Sequence, residues 1–280
     1  MAITLMRSAR ARGWVVLAGL LILGVAILFG LVVFVWSVLA GTGPDSRASG
    51  RTAAAPNIVA SALPSQASNS SSAEVALKSA KNALAAKPML QIAPADALPQ
   101  PIAASSAGTP VTLPKATDTT ELIPTGYPRT PAGAVAQLAA IDALALKDLN
   151  PSNPRAAYDW AATAGAVPFA QWTPQVGASA ILTAAGAPHG SAQLTSTWTL
   201  THAQIKGVLD DGNFVVACVL GEFDASYRST VRAGVGDCQR MVWHGGRWRI
   251  GPGAQPAFAP STWPGSARCV RAGWREARNA

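Results

Sequence analysis

The N-terminal residues combine a basic stretch with the longest apolar run of the chain. Residues 1–13 contain three arginines and no acidic residue, and residues 14–40 contain no charge at all. A helix of about 20 apolar residues crosses a bilayer, whereas the apolar core of a cleaved signal peptide is only about 7–15 residues long. We therefore predict a cytoplasmic tail at 1–13 and an uncleaved transmembrane helix at 14–40.

The charges beside this span set its orientation. Arginine-rich flanks stay on the cytoplasmic side of a membrane. We therefore predict a single-pass protein of the cell membrane, with a cytoplasmic N-terminus and an extracytoplasmic C-terminal domain.

The next segment shows no lasting apolar period. Residues 41–126 are rich in Ala, Ser, Pro and Thr, and such a composition buries too little apolar surface to offset the entropy of ordering. We predict a disordered arm over 41–126. One exception lies within it, because Ser71 and Glu74 have the spacing of a capping box and Leu77, Ala80 and Leu84 form a stripe. This stretch predicts a transient helix or a small docking segment.

Helical signals begin after residue 126. Thr130, Asn153 and Thr173 each precede a proline, and a capping side chain before proline is typical of a helix start. The apolar spacing predicts helices over about 131–149, 154–164 and 174–185, the last two ending near glycines.

A different pattern follows Gly190, where β-branched and apolar residues alternate. Turn signals at 210–212, near 227–228 and at 244–247 separate four such runs. We predict a four-stranded antiparallel meander. Three helices packed on this curved sheet give an α+β, cone-like domain over 127–265.

The last hairpin of this meander is the stretch "DCQRMVWHGGRWRIGPG". Its Gly-Gly turn places Trp243 opposite Trp248, and aromatic cross-strand pairs stabilise a sheet. The alternative is a partner-binding edge, with Arg240, Arg247 and Arg249 projecting from one side.

The sequence has three cysteines. Cys218 and Cys238 are equally distant from Arg228 in the predicted turn, so a regular antiparallel register places them opposite each other and predicts a disulfide. The alternative is that both are small buried core residues, since a bulge at Gly234 or Gly236 turns the side chains apart. The cysteines and histidines show no metal-ligand spacing, and we predict neither metal nor cofactor.

Catalytic chemistry has little support in this pattern. Asp142, Tyr158, Asp159, His202 and Glu222 are candidates for acid–base work in a cone interior, but they form no recognisable motif. The net charge of +8 fits an anionic membrane, a wall polymer or nucleic acid equally well. No nucleic-acid-binding motif accompanies it. We predict no enzymatic activity and no direct nucleic-acid contact.

The C-terminal segment, 266–280, is basic. Its arginines recur at i, i+3, i+7 and i+10, which on a helix makes one basic face. The simpler interpretation is a solvated tail, and the alternative is that this face docks to an acidic partner or an anionic wall polymer. The four residues are Arg268, Arg271, Arg275 and Arg278.

Three phrases carry a family resemblance: "YPRTPAGAVAQLAAID", "NFVVACV" and "DCQRMVWHGGRWRIGPG". They resemble membrane proteins of actinobacterial conjugative elements. The order of tail, span, arm and cone is similar to that of the bitopic assembly components of conjugation and type IV secretion, including the TcpC type with its nuclear-transport-factor-2-like domain. The resemblance covers roughly 127–265. It implies a non-catalytic scaffold of a transfer machine whose partners are other membrane or secretion-machine proteins.

Two further points stay open at this stage. Mce-associated proteins of lipid or small-molecule transport share the layout of anchor and cone, so a transport accessory is the alternative function. The sequence also leaves open whether the chain forms a homo-oligomer.

The predicted orientation is directly testable. An enzyme reporter that is active only outside the cytoplasm, fused after Ala280, is expected to be active because the basic tail retains the N-terminus inside. A matched reporter that is active only in the cytoplasm should stay silent, and activity of that second fusion contradicts the orientation.

Overall fold

The fold is built on one curled, mixed sheet of six strands, with helices packed on both of its faces. The computed structural model describes residues 66–280, with side chains from residue 72 onward. The helices are α1 Gln66–Ala86, α2 Pro131–Ala145, α3 Ser152–Ala161, α4 Thr173–Ala184 and α5 Ala267–Arg271. The strands are β1 Val111–Leu113, β2 Thr195–Leu209, β3 Phe214–Tyr227, β4 Ser229–His244, β5 Arg247–Ile250 and β6 Arg275–Asn279, in sheet order β1-β6-β2-β3-β4-β5.

The predicted tail and transmembrane helix, 1–13 and 14–40, lie outside the described residues. Within 66–280, no helix combines the length and the apolar character that a bilayer span requires.

Strands β2 to β5 form the predicted meander, and its turns fall where the sequence places them. Asp210 and Asp211 adopt positive φ in the first turn, Arg228 does so in the second, and Gly245 and Gly246 make the third. Glycine, Asp and Asn tolerate this left-handed backbone better than bulky residues do.

Strand β3 is buried on both faces along most of its length. Val215, Ala217 and Val219 pack in the core beneath the helices. The alternate residues point the other way, where Phe214 joins a second cluster and Leu220 a third. A continuous apolar run is typical of a strand covered on both sides. The sheet therefore needs a second covering layer that three helices do not supply.

That second layer comes largely from the segment predicted as a disordered arm. Residues 87–126, here called the strap, continue from α1, cross the outer face of the sheet and return to the helix side. The strap residue Ala103 donates its N–H to the carbonyl of Gly265, and Ile123 is fully buried in the main core. Strand β1 of the strap pairs in parallel with β6. The prediction of disorder is therefore wrong for residues 87–126. The helical exception predicted at 71–86 corresponds to part of α1, and residues 41–65 of the predicted arm lie outside the described residues.

The helix boundaries also differ from the predicted ones in detail. Thr130 caps α2 as predicted and accepts a hydrogen bond from the N–H of Gly133 at 3.1 Å. Helix α2 ends at Ala145, since Asp148 and Leu149 take positive φ and cannot continue it. Asn153 and Thr173 lie inside α3 and α4 rather than capping them.

The C-terminal segment does not form the predicted basic helix face. Helix α5 ends at Arg271, because Gly273 takes a φ of 82° and turns the chain inward. Trp274 is 1% exposed in the outer cluster, which is the group of buried residues Cys218, Leu220, Cys238, Cys269, Ala272 and Trp274. Arg275 and Arg278 then lie on β6. Turning Trp274 inward buries a large aromatic side chain, which outweighs the weak helix preference of so short a segment.

Cys218 and Cys238 are directly opposed in the β3–β4 register and are joined by a disulfide. The register follows the symmetry about Arg228 that the sequence argument used, and the pairing runs without interruption past Gly234 and Gly236. The bridge lies in the outer cluster with Leu220 and Trp274, which also contains the free, buried thiol of Cys269.

We expect replacement of both bridged cysteines by alanine to lower the free energy of unfolding by about 3 kcal/mol, because the bridge restricts the unfolded chain over a separation of 20 residues. Urea unfolding of the full chain measures this loss. Cys269→Ala is the matched control, since it leaves the bridge intact. Detection of alkylated Cys218 in unfolded but unreduced protein contradicts the pairing.

Candidate functional site

Two buried carboxyl groups lie between the helix layer and the sheet, close enough for the charge of one to affect the other. Asp142 lies in the last turns of α2 and is 1% exposed, next to the fully buried Ile141. The helix periodicity that turns Leu138, Ile141 and Ala145 toward the sheet also carries Asp142 into the interior.

The second carboxyl belongs to Asp237 of β4, which is 5% exposed. Asp237 pairs in register with Val219, a core residue, so both side chains point toward the helices. Its Oδ2 accepts a hydrogen bond from Nε2 of Gln239 at 2.8 Å, while its Oδ1 has no partner among the described residues. Oδ1 of Asp142 likewise has none there.

Burial dominates the electrostatics of this acid pair. It raises the pKa of Asp142 well above the ordinary value, and the neighbouring charge of Asp237 raises it further. Burial also raises the pKa of Asp237 to about 6, against hydrogen bonds from Gln239 and from the backbone N–H of Cys238. Thr173 at the start of α4 lowers this pKa as well, although its hydroxyl makes no hydrogen bond of ordinary geometry.

Such a pair can hold and exchange a proton. Two nearby carboxylates in a low dielectric do not readily ionise together, so burial and mutual repulsion both favour the protonated form of Asp142. Because Asp142 and Asp237 are almost completely buried, a substrate reaches neither of them in this conformation. A shallow hollow lined by Thr195, Ser226 and Thr230 lies elsewhere on the sheet and contains neither carboxyl.

The other candidate acid–base groups of the sequence do not converge with Asp142. Tyr158 donates its hydroxyl to the carbonyl of Val167, and the exposed Asp159 pairs with Arg155. Glu222 pairs with Arg232 near the far end of the β3–β4 hairpin. Burial lowers the pKa of His202, and the charge of Glu276 opposes this shift.

The arginines of the last hairpin do not form one free edge. Arg240 points to the outer face and donates to Oδ1 of Asn82 at 3.0 Å. Arg247 stacks on the ring of Trp160 and pairs with Glu121, whereas Arg249 donates to the carbonyl of Trp160. Trp243 and Trp248 face each other across the hairpin as predicted, with ring centroids 5.5 Å apart.

Sequence reasoning missed Asp237. A signal was present, because Asp237, Gln239 and Met241 alternate with Cys238 and Arg240 on a strand. Polar residues on a solvent-facing edge show the same alternation, so burial of this face depends on where α2 and α4 pack. Among residues 66–280, no group of three or more His, Cys, Asp or Glu side chains is placed to hold a metal ion.

Comparisons with known proteins add no assignment. No family model, no curated protein and no solved structure matches this chain.

The acid pair predicts an unusual dependence of stability on pH. Both folded pKa values lie above the ordinary 3.8, so the folded chain keeps protons that the unfolded chain releases. The contribution of this pair to the free energy of unfolding is greatest below pH 4, and it falls as the pH rises through about 6. For Asp237 alone, the shift corresponds to roughly 3 kcal/mol.

We expect Asp142→Asn to weaken this dependence and to raise the unfolding temperature at pH 8, because an amide needs no proton to stay neutral. Asp237 stays buried in the variant and continues to titrate. Thermal unfolding of the full chain between pH 4.5 and 8.5 measures the effect. Asp159→Asn, which changes an exposed carboxyl, is the control. A wild-type midpoint that rises from pH 5 to pH 8 while Asp142→Asn is unchanged contradicts the assignment.

Proposed function

We propose that the chain is a non-catalytic, membrane-anchored scaffold or assembly component of a conjugative transfer or type IV secretion machine. The predicted span at 14–40 and the resemblance of 127–265 to such components motivate this function. The anchor places the domain on the extracytoplasmic side of the cell membrane, and its partners are other membrane or secretion-machine proteins.

The observation that carries the proposal is the way α1 joins the domain. Only the last turns of this helix dock: Lys81 pairs with Asp210 at 2.7 Å, and Leu84 lies against Gly207. Ala85 is buried beside Phe214. Between Ser72 and Ala80 every side chain is exposed except that of the half-buried Leu77. At 1.5 Å per residue, this exposed part extends roughly 13 Å from the docked turns.

This geometry suits a spacer whose far end leads toward the predicted anchor. The docked end is fixed to the sheet by an ion pair and by apolar contacts. The exposed side chains of α1 from residue 73 to residue 80 can then be contacted by a neighbouring protein, as an assembly component requires. The burial of Asp142 and Asp237 supports a role without substrate turnover, because the acid pair is closed to solvent.

The basic C-terminal residues also fit partner binding, in a changed arrangement. Arg268 approaches Asp96 at 3.4 Å, and Arg278 pairs with Glu276. Within the described part of the chain, no carboxylate pairs with Arg271 or Arg275. These two arginines are therefore the better candidates for an acidic partner.

Affinity purification of the anchored full chain from membranes of its host tests the proposed function. We expect proteins of a conjugation or secretion apparatus to co-purify, and deletion of the gene to reduce transfer. Co-purification of lipid-import proteins with unchanged transfer favours the transport-accessory alternative and contradicts the scaffold role.

The arginine arrangement gives a sharper prediction for the same complex. We expect Arg271→Gln combined with Arg275→Gln to weaken association several-fold at low salt and less at high salt, because exposed charges are screened. The matched control is Arg268→Gln with Arg278→Gln, which removes two charges that already have partners. Equal losses for both double variants contradict a specific role of Arg271 and Arg275.

A further inference from the structure

The acid pair joins two layers of the fold without a compensating cation. Asp142 comes from the helix layer and Asp237 from the sheet, and each has one oxygen that lacks a hydrogen-bond partner among the described residues. A buried carboxylate without a cation is strongly unfavourable, whereas a protonated carboxyl is tolerated. The contact between α2 and β4 therefore depends on whether the pair holds a proton.

The surrounding elements supply no charged group that pairs with either carboxyl among the described residues. Lys147 and Asp148, which follow α2, and His244 at the end of β4 are exposed, and Tyr227 lies under Arg228. Helix α2 has no other charged residue, and α4 and β1 have none at all. On the neighbouring strands and on α3, the nearest candidates are committed to other partners. On β2, Lys206 donates to the backbone carbonyls of residues 85 and 87, and His202 lies beside Glu276. On β4 and β5, Arg232 pairs with Glu222 and Asp224, Arg240 donates to Asn82, Arg247 pairs with Glu121, and Arg249 donates to the carbonyl of Trp160. On α3, Arg155 pairs with Asp159, and Tyr158 donates to the carbonyl of Val167.

Helix α2 is built largely of small residues. Seven of its 15 residues are alanine, and it has one glycine. Small side chains bury little apolar area, so each contributes less to docking than a leucine or isoleucine does. Its docking thus rests mainly on a few larger residues, among them Val135, Leu138 and Ile141. An unfavourable charge at the end that carries Asp142 therefore weighs heavily against this contact.

We propose that Asp142 and Asp237 form a proton-operated latch between α2 and β4. The helix layer is closed on the sheet while the pair holds a proton, and the C-terminal half of α2 separates locally from β4 when both carboxyls are ionised. The latch acts within the domain, so it does not depend on the proposed scaffold function.

Opening at this place changes what the domain presents to a partner. The apolar face of α2 and the helix-facing side of β4 are buried while the latch is closed, and both become accessible when it opens. The outer layer stays in place, because the Cys218–Cys238 bridge lies on the opposite face of β4 from the Asp237 side chain. The change is thus confined to the helix side.

Amide hydrogen exchange of the full chain in detergent, measured at pH 5.5 and 8.5 and corrected for the intrinsic effect of pH, tests the latch. We expect protection of residues 138–145 to fall by about tenfold or more at pH 8.5, because ionisation of both carboxyls releases this half of α2. Residues 236–239 should keep their protection, since their hydrogen bonds lie in the β3–β4 ladder. Residues 214–218 of β3 should keep their protection.

Asp142→Asn is expected to give equal protection at both pH values, and Asp237→Asn serves the same purpose if that variant does not fold. Asp159→Asn is the control and should behave as the wild type. A uniform fall across α2, β3 and β4 overturns the latch, because it indicates a change in global stability alone. Wild-type protection that is unchanged between the two pH values also overturns it, whatever the variants do.

Discussion

The fold depends on the need of strand β3 to bury both of its faces. From Phe214 to Leu220 the strand is apolar at every position, and each side chain in this run is at most 1% exposed. Each large apolar side chain left in water would forgo roughly 1.5–3 kcal/mol. Helices α2 to α4 cover one face, and α1, the strap and the C-terminal segment cover the other. The disulfide, the docked end of α1 and the burial of Trp274 all belong to this second layer.

The two layers meet the sheet through different chemistry. On the outer side, cations are placed on oxygen acceptors: Lys206 donates to backbone carbonyls and Arg240 to the amide of Asn82. On the helix side, the polar groups include the two acids and the amide of Gln239, besides neutral hydrogen bonds such as that from Ser196 to the carbonyl of Leu146. The outer layer therefore keeps its hydrogen bonds over the pH range in which the acid pair titrates, whereas the helix layer becomes sensitive to protons.

Local signals account for the part of the fold that the sequence reveals. The meander, its three turns and the opposition of Cys218 and Cys238 follow from alternation, turn residues and register, which act over short distances. The Thr130 cap is equally local. The strap was not foreseen, because its order comes from long-range contacts such as those of Ile123 and Ala103 rather than from its own composition. The apolar run of β3 did contain the missing information, since it implies a second covering layer.

The sequence pointed to only one of the two carboxyl groups of the candidate site, that of Asp142. Asp142 stands out as a lone acid on an apolar helix, but its partner on β4 is recognisable only once the helix layer is placed over the sheet. The predicted basic face failed for a similar reason. Helical spacing of the arginines is informative only while Trp274 stays exposed, and burial of that ring against the outer cluster breaks the helix.

The sheet order has a consequence for how the domain is made. Strand β6 lies between β1 and β2, with Val111 beside Ala277 and His202 beside Glu276. Synthesis proceeds from the N-terminus, so the strap is made long before the strand it pairs with. The β3–β4 hairpin and its disulfide need only neighbouring residues and can form early, whereas β1 has no partner until residues 275–279 leave the ribosome. The sheet is thus completed only after β6, its last strand in chain order, has been synthesised. Until then the strap and the outer face of β3 are accessible to the factors that bind a nascent chain.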